Sequence, residues 1–257
     1  MKKRIVPSIL LRGGTNVSLS QQFTPWRTVG TLAQQLRLHV RRNCDELLII
    51  NTDLAGSSNF SCSQRLLSLV RQEVDIPIAY AGGISTAEDA ASCINAGFDK
   101  VYITSAFIDS NSVVSEVASV IGSQSTGVCL PYRRSVGKGA PLIWDFRADE
   151  LRQDLPLLEV LQAAVAFGAG EVLLYNVDRD GCLQGLDVSL LHLLENSNIS
   201  CPVLLAGGAG ASEHFSAVLL SPAVQGVVAS SIFALTQETP ATIRGHCESM
   251  GIAMRRP

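Results

Sequence analysis

The sequence has few charged residues and no hydrophobic run long enough to cross a membrane. Asp, Glu, Lys and Arg make up 17% of the 257 residues and hydrophobic residues 47%, which excludes a disordered chain and suits strands buried on both faces. No apolar run reaches the roughly 18 residues of a membrane span, and the apolar stretch in MKKRIVPSILL is too short for a signal peptide. The net charge of −3 gives no basis for nucleic-acid binding. We therefore expect a cytoplasmic protein that binds neither membrane nor nucleic acid.

Cysteine and histidine occur without the spacing of a metal site. The seven cysteines form no C-x-x-C pair, so buried free thiols are expected rather than zinc ligands or disulfides. The four histidines lie in segments predicted to be helical, away from strand ends, which favours packed or solvated side chains. The sequence therefore predicts no metal and no cofactor. The residues are Cys44, Cys62, Cys93, Cys129, Cys182, Cys201 and Cys247, with His39, His192, His214 and His246.

Short apolar runs alternate with amphipathic stretches along the whole chain. The runs are RIVPSIL, ELLIIN, IPIAYA, KVYI, TGVCL, EVLLYN, PVLLA and GVVA. Between them, segments such as TLAQQLRLHV, QRLLSLVRQEV and AEDAASCINAG carry apolar residues at three- and four-residue spacing, which is typical of helices packed on a sheet. Eight strands alternating with helices predict an α/β protein, a single (β/α)8 barrel domain over residues 1–257.

The two halves of the chain resemble each other. DELL at 45–48 matches GEVL at 170–173, and YAGG at 80–83 matches LAGG at 205–208, both at an offset of 125 residues. TSAF at 104–107 matches SSIF at 230–233 at an offset of 126. A near-constant offset over three separated motifs indicates a duplicated half-barrel.

Each half places a glycine pair after one strand and hydroxyl side chains after the next. Glycines let backbone N–H groups approach an anion closely, and hydroxyls add hydrogen bonds. Tight turns also use glycine for backbone reasons alone, but the duplication favours two phosphate sites on opposite sides of one barrel mouth. The candidates are Gly82, Gly83, Thr104 and Ser105 in the first half, and Gly207, Gly208, Ser230 and Ser231 in the second.

Two further groups of polar residues fall at strand ends. Arg4, Glu46, Lys100 and Glu171 each begin a predicted strand, so they form a charged ring at the barrel bottom, where the physical expectation is a stabilising ion-pair network. The segment NVDRDGCLQG follows the sixth strand with Asp178 and Asp180, and Asp53 follows the second. Carboxylates at the mouth can act as acid, base or hydroxyl ligand, although Asp and Gly are also ordinary turn residues.

The motifs KRIVPSILL, CDELLIINTDLA, AGGISTAEDAASCINAGFDKVYITSAF, GSQSTGVCL, GAGEVLLYNVDRDG, LLAGGAGASEHF and ASSIF point to one family. Over nearly its whole length the chain resembles the cyclase (HisF-type) subunit of imidazole glycerol phosphate synthase. The resemblance implies a HisH-type glutaminase partner at the barrel bottom, where ammonia enters through a charged gate, and a phosphorylated small-molecule ligand at the mouth. It assigns the gate to Arg4, Glu46, Lys100 and Glu171, the partner-facing position to Asp99, and phosphate contacts to both glycine–hydroxyl sets, with Gly181 beside the second.

The chain departs from the family pattern at the catalytic positions. The two aspartates that act as acid and base for cyclisation correspond to Leu10 and Pro131, a third carboxylate corresponds to Asn51, and no Lys or Arg occurs between Gly13 and Trp26. Neither Leu nor Pro transfers a proton, and each general acid or base typically contributes about 10²–10⁴-fold. The pattern resembles a divergent branch from surface-polysaccharide pathways, in which a glutaminase and a separate ATP-using amidotransferase convert an acetamido sugar to an amidine.

Three hypotheses follow from these residues. The leading one is an ammonia-conducting subunit of a glutamine-dependent amidotransferase complex that supplies an acetamido sugar. The second is a divergent cyclase of histidine biosynthesis that uses Asp53, Asp178 or Asp180 in place of the missing pair. The third is a non-catalytic protein that only binds a phosphorylated metabolite or activates its partner. A general phosphate-binding barrel isomerase is less favoured than these three, since no acid/base pair is visible across strands 1 and 5.

Overall fold

Eight parallel strands close into a barrel. The computed structural model describes residues 1–54, 70, 72–134 and 139–256. The barrel strands, in chain order, are β1 (Arg4–Arg12), β4 (Leu47–Asn51), β5 (Ile78–Ala81), β6 (Lys100–Ile103), β7 (Thr126–Arg134), β10 (Glu171–Asn176), β11 (Val203–Ala206) and β12 (Gly226–Ala229).

Each barrel strand pairs in parallel with the next one in this order, and β12 pairs with β1. The first half-barrel joins the second where Glu171 pairs with Gly127 and Asn176 with Tyr132. All eight predicted strands are present, and β6, β10 and β12 have the predicted bounds. The predicted (β/α)8 fold is confirmed.

Two antiparallel hairpins extend the sheet at the barrel mouth, and neither was predicted. The first hairpin, residues 16–31, contains β2 (Asn16–Gln21) and β3 (Thr24–Thr31), and β2 pairs with the end of β1. The second, residues 141–156, contains β8 (Pro141–Asp145) and β9 (Glu150–Pro156), and β8 pairs with the end of β7.

The described helices surround the barrel. They are α1 (Leu32–Arg41), α2 (Ala87–Ala96), α3 (Ser105–Asp109), α4 (Ser112–Ile121), α5 (Leu157–Ala166), α6 (Leu191–Glu195), α7 (Ser212–Leu219), α8 (Ser231–Leu235) and α9 (Pro240–Ser249). All four histidines lie in helices, as predicted, whereas the predicted helix over 64–74 and Cys62 lie mostly or wholly outside the described residues. No helix in the described ranges is long and apolar enough to span a bilayer.

Capping residues explain where two of these helices begin. Thr86 is the N-cap of α2, since its hydroxyl accepts from the backbone N–H of Asp89 at 3.1 Å and the Asp89 carboxylate accepts from Thr86 N at 3.0 Å. The N-cap of α7 is Ala211, although the hydroxyl-bearing Ser212 follows it directly. Ser212 instead donates its hydroxyl to Glu238 at 2.8 Å.

The duplication is visible in the backbone as well as in the sequence. Gly82 and Gly207 have φ angles of 133° and 94°. A Cβ at Gly82 would lie 2.5 Å from the carbonyl oxygen of Asn51, and one at Gly207 would lie 2.2 Å from that of Asn176. The same close contact therefore recurs in each half. It requires glycine at both positions whether or not a ligand binds there.

Candidate functional site

A cavity of about 430 Å³ opens at the barrel mouth. Leu10 from β1 and Pro131 from β7 both line it, so the first strand turns Leu10 toward the barrel interior. The carboxylates among its lining residues are Asp53 and Asp109, and most of the wall is apolar. At the ends of the first and fifth barrel strands, the cavity is therefore lined by the apolar side chains of Leu10 and Pro131 and not by carboxylates.

The first hairpin crosses the mouth and binds Asp180. The carboxylate of Asp180 accepts from Ser20 Oγ at 2.7 Å, from Phe23 N at 3.1 Å and from the Tyr175 hydroxyl at 2.9 Å. Its backbone carbonyl accepts from Gln22 N at 3.0 Å. Asp180 is 5% exposed, so the catalytic role proposed for it requires the hairpin to move first.

The tip of this hairpin adopts a conformation that its residues disfavour. Gln22 and Phe23 form the two-residue turn, with φ angles of 51° and 63°, where asparagine and glycine are usual. The Phe23 ring packs edge-on against Tyr175 at 4.8 Å and Trp144 at 5.5 Å between ring centroids. These contacts, with the hydrogen bonds to Asp180, hold the turn and explain why local turn signals could not reveal it.

The other two candidate carboxylates lie in different places. Asp53 lines the cavity, and its two oxygens accept from Gly13 N and Gly14 N at 2.9 Å each, so it orders the turn after β1. Asp178 is exposed and does not line the cavity; its Oδ2 accepts from Arg134 N at 3.0 Å. Of the three predicted catalytic residues, Asp53 alone combines exposure with a position on the cavity wall.

The two glycine–hydroxyl sets do not share one cavity. Gly82, Gly83, Thr104 and Ser105 line the mouth cavity, as predicted, whereas Gly207, Gly208, Ser230 and Ser231 do not. The Ser20 carbonyl oxygen would lie 2.1 Å from a Cβ at Gly181, so the first hairpin rests directly on that glycine. The first hairpin, which the sequence analysis missed, therefore lies over Gly181 on this side of the mouth, and the role of both sets in phosphate binding stays a prediction.

At the barrel bottom the four predicted charged residues form one connected network. Arg4 Nη1 lies 3.1 Å from Glu46 Oε2, and Arg4 Nη2 contacts Glu171 Oε2. Lys100 Nζ lies 2.7 Å from Glu171 Oε1. Arg255, which was not predicted, adds a 3.4 Å contact to Glu46. The first four residues carry two positive and two negative charges, so this ion-pair ring is neutral and is largely buried.

Glu171 and Arg4 stay charged because their neighbours in the ring stabilise them. Burial opposes ionisation of Glu171, but Arg4 and Lys100, with hydrogen bonds from Lys100 and Tyr102, lower the pKa of its carboxyl below the ordinary value. Burial likewise opposes the charge of Arg4, yet Glu171 and Glu46 raise the pKa of its guanidinium. Asp99 lies on the same face, exposed, with one carboxylate oxygen accepting from Ile78 N at 2.9 Å.

Tyr102 lies between the ring and the mouth cavity. Its side chain lines the cavity, belongs to the apolar cluster inside the barrel, and donates its hydroxyl to Glu171 Oε1. Burial, and then Glu171, raise the pKa of the phenol well above its ordinary value, so the hydroxyl keeps its proton. A Cβ at Gly127 would lie 2.7 Å from the Tyr102 ring. A glycine on the neighbouring strand thus makes room for the ring inside the barrel.

Two polar clusters near the mouth escaped the sequence analysis. Asp187 is buried and accepts from Tyr132, Arg134 and Asn176 at 3.1–3.2 Å. Arg147, on the second hairpin, lines the cavity and donates to Asp145 and Asp109 at 2.7 Å each. Both clusters join residues 38 or more positions apart as well as near neighbours, and no local motif marks them.

Residues that bind metals or act as nucleophiles are not concentrated at this site. No group of three or more His, Cys, Asp or Glu side chains able to hold a metal ion occurs within the described parts of the chain. Cys129 lines the cavity, but burial raises the pKa of its thiol to about 12, so it is protonated at neutral pH.

Comparisons with known proteins agree with this architecture. Residues 4–239 match the family described as "Histidine biosynthesis protein". The chain is 30% identical over 257 residues, 99% of both chains, to "Imidazole glycerol phosphate synthase subunit HisF" from Streptococcus sanguinis (strain SK36). It is 29% identical to the protein of the same name from Thermobifida fusca (strain YX), over 98% of both chains. To "Putative imidazole glycerol phosphate synthase subunit HisF" from Leptospira interrogans it is 27% identical, over 91% of this chain and 90% of the relative. With its closed barrel and this full-length similarity, the chain belongs to the histidine biosynthesis protein family, as one of its HisF-type members.

Proposed function

We propose that this chain is the synthase-type subunit of a glutamine-dependent amidotransferase complex and conducts ammonia through its barrel. A HisH-type glutaminase docks at the bottom, on the face that carries Asp99, and releases ammonia beneath the ion-pair ring. The relatives are named as subunits of a synthase, which supports a partner protein. Leu10 and Pro131, at the mouth positions where a cyclase needs an acid and a base, carry the proposal.

The path from ring to cavity suits ammonia and excludes ions. Above the ring the barrel interior is lined by apolar side chains such as Val6, Leu48 and Leu173. A charged ammonium ion loses its hydration in such surroundings, whereas neutral ammonia crosses at much lower cost. An apolar exit beside Leu10 also keeps ammonia unprotonated until it reaches the acceptor.

Tyr102 closes this path in the conformation described here. Its ring fills the interior above the ion-pair ring, and its hydroxyl shares Glu171 Oε1 with Lys100. A movement of Lys100 or Glu171 that opens the ring also removes a partner of Tyr102. In this proposal the Tyr102 ring is the barrier to ammonia above the ion-pair ring, and its hydroxyl bond to Glu171 holds it there.

The acceptor in this proposal is an acetamido sugar, which an ATP-using amidotransferase activates for amidine formation. The support is the resemblance of the β1 segment, in which RIVPSILL leads into Gly13 and Gly14, to the surface-polysaccharide branch of the family. Asp53 strengthens it, because its carboxylate binds both of these glycine N–H groups.

The test is an isotope competition in the reconstituted three-protein complex. Glutamine labelled with ¹⁵N in its amide is supplied together with unlabelled ammonium, and the ¹⁵N fraction of the amidine is measured by mass spectrometry. We expect a high ¹⁵N fraction with the unaltered chain and a low one with Lys100→Ala, while total product at saturating ammonium is retained. Lys2→Ala, an exposed lysine outside the ring, is the matched control. An unchanged ¹⁵N fraction in Lys100→Ala contradicts the conduit.

The second candidate is a divergent cyclase, favoured by the position of Asp53 on the cavity wall. Turnover of the histidine-pathway cyclase substrate at saturating ammonium, abolished by Asp53→Asn and kept by Asp178→Asn, supports it. Absence of both cyclase turnover and ¹⁵N transfer, from a folded protein that still binds phosphate, leaves a non-catalytic binding protein.

A further inference from the structure

The outer strand of the first hairpin carries the most exposed aromatic side chain among the described residues. Trp26 on β3 is 51% exposed, compared with 37% for Phe167, and every other described Phe, Tyr or Trp side chain is more buried. A single exposed apolar side chain is common on protein surfaces and needs no explanation by itself. Tryptophan is also among the residue types that contribute most to protein–protein binding, so its surroundings decide whether it marks an interface.

The backbone of β3 turns Trp26 outward. Leu19 of β2 pairs with Arg27, and the next β2 residue, Ser20, pairs with Pro25. Trp26 lies between these two positions without a cross-strand partner, as the extra residue of a β-bulge, and a bulge re-aims the side chain that it carries. Among the described strands β3 pairs with β2 alone. Its outer edge and the Trp26 side chain are therefore accessible together.

The first hairpin carries positive charge that the described part of the chain does not compensate. From Arg12 to Thr31 the sequence contains two arginines, Arg12 and Arg27, and no acidic residue. Both arginines are exposed, and neither has an ion-pair partner among the described residues. The arginines on and beside the second hairpin differ, because each pairs with a carboxylate; they are Arg133, Arg134, Arg147 and Arg152.

The first hairpin is fixed at both ends, so its outer surface is preorganised. At the tip, the Asp180 carboxylate accepts from Ser20 Oγ at 2.7 Å and from Phe23 N at 3.1 Å. At the base, Gln35 Nε2 of α1 donates to the Val29 carbonyl oxygen at 3.0 Å. A surface held in this way loses less conformational freedom on binding, which favours affinity.

Charge and position decide which protein this surface fits. In a symmetric pair of chains the same patch would face itself, so arginines would oppose arginines, and like charges across an interface disfavour association. In the proposed function the glutaminase binds at the opposite end of the barrel. The protein that activates the acceptor must lie at the mouth, since water there would protonate the released ammonia. Pro25, next to Trp26, lines the mouth cavity, so a protein seated on Trp26 lies beside the exit.

We propose that the outer face of the first hairpin, formed by Trp26, Arg27 and Arg12, is the docking surface for the acceptor-activating protein of the complex. The complementary surface of that protein is acidic and has an apolar recess that receives the Trp26 side chain. Tryptophan and arginine are both enriched at the centres of protein interfaces. The inference rests on the proposed function for the existence of this partner, and it adds where on the chain the partner binds.

Binding is measured between the purified full-length chain and the ATP-using amidotransferase of the isotope competition. The chain has two tryptophans, so 5-fluorotryptophan gives two ¹⁹F resonances, which Trp26→Phe assigns. We expect saturating amidotransferase to shift the resonance of Trp26 and not that of Trp144, which is 6% exposed. The glutaminase is expected to shift neither.

Variants and calorimetry test the aromatic and the charged part of the surface. Trp26→Ala is expected to weaken binding at least about thirtyfold, as truncation of a central interface tryptophan does. Val120→Ala is the matched control, because Val120 is 58% exposed on α4, outside the hairpin. Arg27→Glu is expected to weaken binding about tenfold at low salt, and less at about 0.5 M salt. Lys2→Glu makes the same change of charge at the other end of the barrel.

Three results overturn the inference. The first is no complex with the amidotransferase at about 0.1 mM of each protein, and the second is affinities of Trp26→Ala and Arg27→Glu within about twofold of the unaltered chain. The third is a Trp26 resonance that shifts with the glutaminase, or with the concentration of this chain alone, and not with the amidotransferase.

The conduit is tested separately, by Lys100→Ala in the isotope competition. An unchanged ¹⁵N fraction in that variant, together with binding that depends on Trp26, refutes the conduit and retains the docking surface. A lowered ¹⁵N fraction, together with binding that ignores Trp26 and Arg27, refutes the docking surface and retains the conduit.

Discussion

The hydroxyl of Tyr102 donates to Glu171 Oε1, the same oxygen that lies 2.7 Å from Lys100 Nζ. One carboxylate oxygen thus joins a residue that lines the mouth cavity to the ion pair at the barrel bottom. Burial of this oxygen makes its two donors hard to replace by water. Both contacts therefore depend on one buried carboxylate oxygen.

Tyr102 variants separate the size of the side chain from its hydrogen bond. In the isotope competition, Tyr102→Phe is expected to keep the ¹⁵N fraction, because the ring still fills the interior. Tyr102→Ala is expected to lower it, because external ammonia then reaches the same path. Since a large-to-small change in a core costs about 3–5 kcal/mol, circular dichroism must show that the Ala variant is folded, and Tyr102→Leu is the milder alternative. Equal effects of the Phe and Ala variants would contradict this barrier.

Asp180 is expected to hold the first hairpin in place across the barrel mouth. Asp180→Ala removes hydrogen bonds to Ser20, Phe23 and Tyr175, each worth about 1–3 kcal/mol where the acceptor is charged and buried. Amide hydrogen exchange over residues 16–31 should accelerate at least about tenfold. Asp178→Ala is the control, since the Asp178 side chain contacts Arg133 and Arg134 and not the hairpin. Unchanged exchange in Asp180→Ala would show that the aromatic contacts of Phe23 suffice.

His39 gives the protein a pH-dependent stability. Burial, and then the charge of Arg42, lower the pKa of the imidazole to about 4 in the folded chain. The unfolded chain takes up this proton below about pH 6.5 and the folded chain does not, so stability falls between pH 6.5 and 4, by roughly 3 kcal/mol in all.

The measurement is urea unfolding from pH 7 to 4, for the unaltered chain and for His39→Gln. The variant cannot be protonated at this position, so its free energy of unfolding should change less over the same range. His39 packs edge-on against Phe233 at 5.6 Å between ring centroids, so the variant is also expected to be less stable at pH 7, and the prediction concerns only how the free energy of unfolding changes with pH. An equal change from pH 7 to 4 in the two proteins would contradict it.

Several features of the site were predictable because their signals are local. A glycine pair after a strand end is visible in the sequence. Gly82 and Gly207 indeed take φ angles that other residues avoid. Arg4, Lys100 and Glu171 begin their strands as predicted, and Glu46 immediately precedes β4. Because parallel strands of a barrel start on one face, their first residues must meet there.

The hairpins and what they cover were not predictable in the same way. The first hairpin turns at Gln22 and Phe23, which carry no turn signal. Its partner Asp180 is 160 positions from Ser20 in the chain. Asp180 therefore resembled a candidate base in the sequence, whereas its carboxylate is occupied by the hairpin and by Tyr175.

By itself, then, the sequence determined the eight strands, their closure into a duplicated barrel and the charged ring. It also determined that Leu10 and Pro131 stand where the family has catalytic aspartates. These follow from periodicity, from glycine conformation and from the common direction of parallel strands, which act over a few residues. Tertiary structure alone decided that Tyr102 packs inside the barrel and bonds to Glu171, that the first hairpin covers Gly181, and that Gly82 and Gly83 line the mouth cavity. Those outcomes depend on contacts between residues far apart in the chain. Such contacts form, and stabilise the protein, only once the barrel has closed.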